Sequence, residues 1–294
     1  MRYTTAGAFR TALEQRLRTL ATDTNVPLIR LRKLVVFDRL MARLMAVAPN
    51  RWVLKGAVAL HFRVGPQYRT TKDLDLGRLD DEQAATADFL AAQALDLGDF
   101  FTFAIQRTGQ FDEALEGAAV RYHASAQLAG RPFEDIAVDV GFGDPAVPDP
   151  EVVRGPELLS FADIAPAEVP ALPIERHIAE KVHAYTRTYE GGRSSSRVKD
   201  LVDLVMMESF FSLQAGRLRR ALEVTFSARN THPLPAQLPP PQRDWGASYR
   251  RMAKEVNLSP DISLGYERAK RFLDPILASS IPDDARWDPI RNAW

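Results

Sequence analysis

The chain has no cysteine among its 294 residues. This absence excludes disulfide bonds, zinc sites built on thiolates, and thiol nucleophiles. A chain without cysteine also agrees with the reducing environment of the cytoplasm, so we expect a cytoplasmic protein.

The chain also lacks an excess of charge and a long apolar run. Its 38 basic and 38 acidic residues cancel. Because proteins that bind nucleic acid over a broad surface are usually basic, any contact with RNA should be local. The longest apolar stretch, 34–47, is interrupted by three charged residues, and the first 17 residues have no apolar core. We therefore expect neither a membrane span nor a secretion signal.

The stretch 51–77 combines a glycine turn with two closely spaced carboxylates. Its pattern predicts a short strand, a turn at 55–57, a helix, and a second strand that carries Asp73 and Asp75. Side chains alternate along a strand, so both carboxylates share one face and repel each other unless a divalent cation such as Mg²⁺ lies between them. A glycine turn lets backbone N–H groups approach a phosphate. The stretch indicates nucleotide chemistry; alternatively, the two carboxylates are solvated at a strand end.

The rest of the chain predicts a sheet flanked by helices and then a helical part. Hydrophobic residues make up 46% of the sequence, enough for a substantial core. Periodicity and capping signals favour early helices at 5–21, 27–48 and 81–97, the last with Asp80 as its N-cap. Strand-like segments follow at 100–106, 119–127 and 136–140, and later helices at 174–189, 197–210, 213–228, 249–256 and 266–273. The basic residues of the helix at 27–48 form a solvated face or contact an RNA backbone.

Prolines suggest where the chain divides. Seven of them fall between 144 and 173, a density typical of a surface connection because proline disfavours ladders and helix interiors. We therefore predict N-terminal helices plus a catalytic core over 1–150, a proline-rich connection over 151–173, and a mainly helical C-terminal domain over 174–294 that completes the active site.

Two motifs carry a resemblance to a known family. The segment LKGAVAL followed by RTTKDLDL, and later EKVHA followed by RVKDLVDL, resembles the AbiEii-type nucleotidyltransferase toxins, the group that includes the MenT toxins. The chain departs from the family at Ala57 and Val58, since many members have Gly-Gly-Thr where this chain has Gly-Ala-Val. A hydroxyl contact to phosphate is therefore missing, whereas the backbone amides remain.

The resemblance implies both the fold and the site. The expected fold is an α/β (α+β) protein with a nucleotidyltransferase-like mixed sheet. Mg²⁺ would be held by Asp73 and Asp75, and Lys181 would neutralise the triphosphate as pyrophosphate leaves. The expected catalytic residues are Asp73, Asp75, Lys181, Asp203 and Asp139, and the expected nucleotide-binding residues are Lys55, Gly56, Ala57, Arg69, Thr71, Arg197 and Asp200.

The sequence leaves two interpretations open for several of these residues and for one loop. Asp139 alternates with valines on a strand, so it is a third carboxylate of the site or a polar residue at a strand end. Asp203 acts in the site or forms an exposed helical pair with Lys199. The serine- and glycine-rich loop 186–197 is a lid or a simple connection. His177 and His183, which flank Lys181, are more typical of structural residues than of ligands.

The function implied by the resemblance is that of a toxin. It would transfer a nucleotide from an NTP to the 3′ end of tRNA, block aminoacylation and translation, and be restrained by a cognate antitoxin. The alternatives are a nucleotidyltransferase that modifies a protein or an antibiotic, and a catalytically silent module that binds RNA or a partner.

Overall fold

The structure is a computed structural model that describes residues 2–65, 68, 71–111, 119–142, 150–187 and 197–294. The chain forms two compact units, Met1–Leu172 and Pro173–Trp294. Among the helices that the structure describes, none is both long and apolar enough to cross a membrane.

The first unit is built on a mixed sheet of seven strands in its described part. In chain order these are β1 (Val53–Leu54), β2 (Asp73–Arg78), β3 (Phe101–Phe111), β4 (Ala119–Leu128), β5 (Arg131–Phe142), β6 (Glu151–Arg154) and β7 (Glu168–Ala171). Their order across the sheet is β3-β4-β5-β2-β1-β7-β6. The pairs β2/β5 and β1/β7 are parallel and the others antiparallel, so the predicted mixed sheet is confirmed.

In the described part of this unit, four α-helices accompany the sheet: α1 (Ala6–Thr24), α2 (Leu28–Val47), α3 (Gly56–Val64) and α4 (Glu82–Ala94). The central helix α2 packs against β5, β7 and α4, and most of its apolar residues between Leu31 and Leu44 are at most 3% exposed. Asp81 rather than Asp80 caps α4, because its carboxylate accepts the Ala84 N–H. Asp80 instead pairs with Arg78. The predicted N-cap was therefore wrong by one residue.

Two arginines of α2 form a buried ion network instead of the predicted basic surface. Arg43 donates to both carboxylate oxygens of Asp99, at 3.0 and 2.6 Å, and to the Phe101 carbonyl at 2.7 Å. Arg39 binds Asp38 and lies 3.7 Å from Asp99. All four charged side chains are at most 4% exposed. Both interpretations of these arginines, a solvated face or an RNA contact, are therefore wrong.

We expect Asp99→Ala to destabilise the first unit by about 3–5 kcal/mol, because it leaves the Arg43 guanidinium buried without its carboxylate. Urea unfolding followed by circular dichroism would measure the loss. Asp23→Ala, at an exposed position near the end of α1, is the matched control and should change little. Equal effects of the two substitutions would contradict a structural role for the network.

The structure also differs from the predicted connection over 151–173. This stretch contributes β6 and β7 to the sheet, and Val153, Val169 and Ala171 are buried. The Leu172 N–H donates to the Leu54 carbonyl at 2.9 Å, extending the contact of β7 with β1. Proline is compatible with extended backbone, so proline density alone does not exclude strands. The first unit accordingly extends to Leu172 instead of ending near residue 150, and the second unit begins at Pro173, next to the predicted start at 174.

The second unit is mainly helical, as predicted. Its helices are α5 (Ile174–Thr186), α6 (Val198–Phe210), α7 (Ala215–Arg229), α8 (Gly246–Glu255) and α9 (Ile262–Leu277), and two short strands, β8 (Leu213–Gln214) and β9 (Arg286–Trp287), pair antiparallel. Trp287 and Trp294 both pack on Phe272, with ring centroids 5.0 and 5.7 Å away. The Trp287 indole also donates to the Glu208 carbonyl at 2.7 Å, which fixes the C-terminal segment on α6.

Candidate active site

Three carboxylates lie together at the centre of the mixed sheet. Asp75 on β2 is directly opposite Asp139 on the parallel neighbour β5, and Asp73 lies two positions earlier on the same face. The alternate residues Leu74 and Val138 are fully buried, so the three carboxylates occupy the face away from the core. We call Asp73, Asp75 and Asp139 the acidic centre.

Arg121 joins the acidic centre from β4, and no sequence motif had pointed to this residue. It is directly opposite Asp139, and its Nε and Nη2 donate to the two oxygens of that carboxylate, both at 2.7 Å. Its Nη2 is also 3.8 Å from an Asp73 oxygen. The hydrogen bonds to Asp139 raise the pKa of Arg121 above its usual value. The guanidinium therefore offsets part of the repulsion among the carboxylates.

The glycine turn lies against Asp75. Gly56 has a φ of +60°, and a Cβ at this position would overlap the Asp75 carboxylate. The Lys55 N–H donates to the Asp75 carbonyl at 2.9 Å, and the Lys55 side chain passes over Gly77. Ala57 is buried, so it can meet a phosphate only through its backbone N–H at the start of α3. The turn and the Asp75 carboxylate are thus in close contact, although helix α3 separates them in the sequence.

We expect Gly56→Ala to destabilise the protein, because a Cβ there requires Asp75 to move and the left-handed backbone itself costs about 1–2 kcal/mol for a non-glycine residue. Thermal melting monitored by circular dichroism would show a lower midpoint. Gly7→Ala is the control, since nothing lies within 4 Å of a Cβ on that glycine in the first turns of α1. A Gly56→Ala protein as stable as Gly7→Ala would contradict the close approach to Asp75.

The two remaining predicted residues of the first unit precede β2. The Thr71 hydroxyl donates to the Asp73 carbonyl at 3.2 Å, so this side chain shapes the entry into the strand. Arg69 lies outside the described residues.

A second charged cluster lies within the helical unit. Lys181 on α5 is 2.9 Å from an oxygen of Asp200 and 3.0 Å from an oxygen of Asp203, both on α6. The two aspartates are 1% and 0% exposed, whereas Lys181 is 15% exposed. Arg197 lies 3.8 Å from the other oxygen of Asp200. We call these four residues the lysine cluster; its two buried carboxylates are matched by two cations.

The geometry of the lysine cluster excludes one of the two interpretations of Asp203 from the sequence. Asp203 is completely buried and bound to Lys181, so an exposed helical pair with Lys199 is wrong. The loop 186–197 lies outside the described residues except at its ends, Thr186, Arg187 and Arg197.

The two histidines that flank Lys181 in the sequence are buried and have structural roles. His183 shares a hydrogen bond with the Thr231 hydroxyl at 2.9 Å, and its ring contacts those of Phe226 and His232. Burial, followed by the neighbouring His232, lowers the pKa of His183 to about 4, so the ring is neutral at pH 7. His177 is likewise buried. Neither residue belongs to a metal-ligand group in the described part of the chain.

The acidic centre fits a magnesium ion in its chemistry. Asp73 and Asp75 supply hard oxygen ligands on one exposed face, and the Asp73 side chain is 42% exposed. Within the described ranges, no three acidic, histidine or cysteine side chains converge as a complete ligand set. A partial set suits Mg²⁺, which commonly binds through one or two carboxylates while water and phosphate oxygens complete its octahedron.

A mixed sheet that sets an acidic centre beside a glycine turn and a helix start defines a nucleotidyltransferase-type protein. The family described as the nucleotidyl transferase AbiEii toxin of type IV toxin–antitoxin systems matches residues 39–274. Because this match spans most of the chain, the protein belongs to the AbiEii family of nucleotidyltransferase toxins. The predicted resemblance is confirmed, and the family implies a nucleotide substrate and an antitoxin partner.

The solved structure of a toxin supports the fold. The chain is similar to MenT4, a nucleotidyltransferase toxin from Mycobacterium tuberculosis, with 18% identity, a TM-score of 0.57, and coverage of 94% of this chain and 92% of MenT4. It is also similar to JHP933 from Helicobacter pylori, with 15% identity, a TM-score of 0.45, and coverage of 84% and 93%. No curated protein sequence matches significantly.

Proposed function

We propose that the protein transfers a nucleotide from an NTP to the 3′ end of tRNA in a Mg²⁺-dependent reaction. The observation that carries the proposal is the in-register acidic centre packed against the glycine turn. Magnesium held by Asp73 and Asp75 would offset the charge of the triphosphate and make its α-phosphorus more electrophilic. The backbone N–H groups that begin α3, together with Lys55, supply complementary contacts for phosphate oxygens.

The reaction needs a base and a stabilised leaving group. The acceptor oxygen forms a bond to the α-phosphorus, the bond to the β-phosphate oxygen breaks, and pyrophosphate leaves. Asp139 lies opposite Asp75 and can accept the proton of the attacking hydroxyl or add a metal ligand. In the structure without nucleotide, two hydrogen bonds from Arg121 orient this carboxylate.

The lysine cluster contains the other residues to which the proposal assigns a role. Lys181 is partly exposed while its two carboxylate partners are buried, so its ammonium group is the accessible part of the cluster. We assign Lys181 to the charge that develops on pyrophosphate, and Asp203 and Asp200 to holding that lysine in position. Arg197 is the second cation and is assigned to the nucleotide.

A chemical argument supports tRNA as the proposed acceptor. A toxin that blocks translation through nucleotide transfer requires an acceptor whose hydroxyl is essential. The terminal ribose of tRNA carries the hydroxyls that aminoacylation uses, so an added nucleotide would prevent charging. A cognate antitoxin protein would keep this activity low in the cell.

The test is incubation of purified protein with total tRNA, Mg²⁺ and each α-³²P-labelled NTP in turn. We expect label in the tRNA band with at least one nucleotide, lost when EDTA replaces Mg²⁺. Periodate-oxidised tRNA, which lacks the terminal ribose hydroxyls, is the matched acceptor control and should remain unlabelled. Label on polypeptide or on a small molecule would replace tRNA with that acceptor, and no label on any acceptor would favour the silent binding module.

A further inference from the structure

We propose that Arg121 is an internal counter-ion of the acidic centre that competes with the divalent cation for Asp139. This inference rests on the proposed function, because it assumes that the acidic centre binds a metal. It assigns Arg121 as a positioning residue that sets the affinity of the centre for metal when no nucleotide is bound.

The geometry of the pair supports competition. Arg121 donates to both oxygens of Asp139 at 2.7 Å. A bidentate guanidinium of this kind occupies the carboxylate edge from which a cation would also bind. The same guanidinium lies 3.8 Å from Asp73, so its positive charge is close to a predicted metal ligand as well. A divalent cation that enters the centre is therefore repelled by the Arg121 guanidinium. It also finds Asp139 already hydrogen-bonded to that guanidinium.

Burial distinguishes this pair from the structural arginines of the same unit. The side chains of Arg121 and Asp139 are 37% and 19% exposed, whereas those of Arg43 and Asp99 are 1% and 2% exposed. A buried pair cannot open without leaving an unpaired charge in the core. Arg121 can leave Asp139 at a small cost, because water and phosphate oxygens are available to its guanidinium.

The consequence is that binding of the metal and binding of the nucleotide are coupled. Without nucleotide, Arg121 stabilises the metal-free centre and lowers its affinity for a divalent cation. A bound triphosphate offers the guanidinium another anionic partner, so Asp139 is released and the metal binds more tightly. Metal and nucleotide then strengthen each other's binding.

The test measures binding of Mn²⁺ to the full chain without nucleotide, by electron paramagnetic resonance of the free ion. We expect Arg121→Gln to lower the dissociation constant about tenfold, since removing one positive charge beside a dication removes a repulsion of this order. Arg121→Lys, which keeps the charge, should remain within about threefold of the parent. Arg107→Gln is the matched control, because Arg107 lies on the neighbouring strand β3 and pairs with exposed Glu82 instead.

Unchanged or weaker Mn²⁺ binding by folded Arg121→Gln would overturn the inference, as would equal changes in Arg121→Gln and Arg107→Gln. Circular dichroism establishes folding. If Arg121→Gln does not fold, Arg121→Met, which removes the same charge, replaces it in the measurement with the same expected gain in affinity. Failure of the proposed metal site has a different signature. In that case Asp73→Asn would leave Mn²⁺ binding unchanged.

Discussion

Replacing Asp73 with asparagine is expected to abolish nucleotide transfer and any growth arrest caused by the protein. The substitution keeps the size of the side chain and removes the charge that would hold Mg²⁺ beside Asp75. Metal ions contribute several kcal/mol of charge stabilisation in phosphoryl transfer, so the loss should be on the order of 10³-fold or more. The rate of label incorporation into tRNA, measured at saturating NTP, would determine it.

The matched control for this substitution is Asp135→Asn. Asp135 lies on β5, four positions before Asp139, and its side chain is 61% exposed and 3.8 Å from His123. It has the same charge as Asp73 and lies outside the acidic centre. We expect its transfer rate to stay close to that of the parent protein. Equal losses for the two variants would mean that overall charge, not the acidic centre, supports the reaction.

The sequence predicts those features of the acidic centre that depend only on residues close together in the chain. Asp73, Leu74 and Asp75 are consecutive, so strand alternation alone predicts that the carboxylates share a face and that Leu74 is buried. The glycine turn is similarly local, and the φ of +60° at Gly56 agrees with the need for glycine there. The helices are predicted well because each contains its own periodicity and end signals.

Arg121 could not be predicted because its position depends on strand register. The hairpin of β4 and β5 turns at Ala129 and Gly130, which both have positive φ. A regular hairpin with this turn would place Arg121 opposite Val138. An irregularity between Ala126 and Gln127 shifts the pairing by one residue, so that Arg121 faces Asp139. A shift of one residue exchanges the two faces of a strand, and the sequence pattern does not reveal it.

The segment 151–173 shows a second limit of local reasoning. Its prolines argue against regular structure, yet Val169 and Ala171 are buried in a strand beside β1. The partner of that strand, Leu54, lies far away in the sequence. Burial against a distant strand outweighs the local preference, as is common for short strands.

The lysine cluster gives the second large expected effect. Lys181→Met should lower the stability of the helical unit by about 3–5 kcal/mol, because it leaves Asp200 and Asp203 buried without their ammonium partner. Nucleotide transfer should be lost as well. Urea unfolding measures the first effect and label incorporation into tRNA the second. Lys270→Met is the control, since Lys270 forms an exposed pair with Asp274 on α9 and should change neither quantity appreciably.

A double substitution separates the structural role of Lys181 from its catalytic role. Lys181→Met combined with Asp200→Asn removes one of the two buried negative charges, so stability should partly recover. Transfer should not recover, because the ammonium group assigned to pyrophosphate is still missing. Recovery of both quantities would show that Lys181 only neutralises the buried carboxylates. If Lys181→Met alone unfolds at the same urea concentration as the parent protein, the ion pairs with Asp200 and Asp203 contribute nothing to stability, and the charge balance inferred for the cluster is wrong.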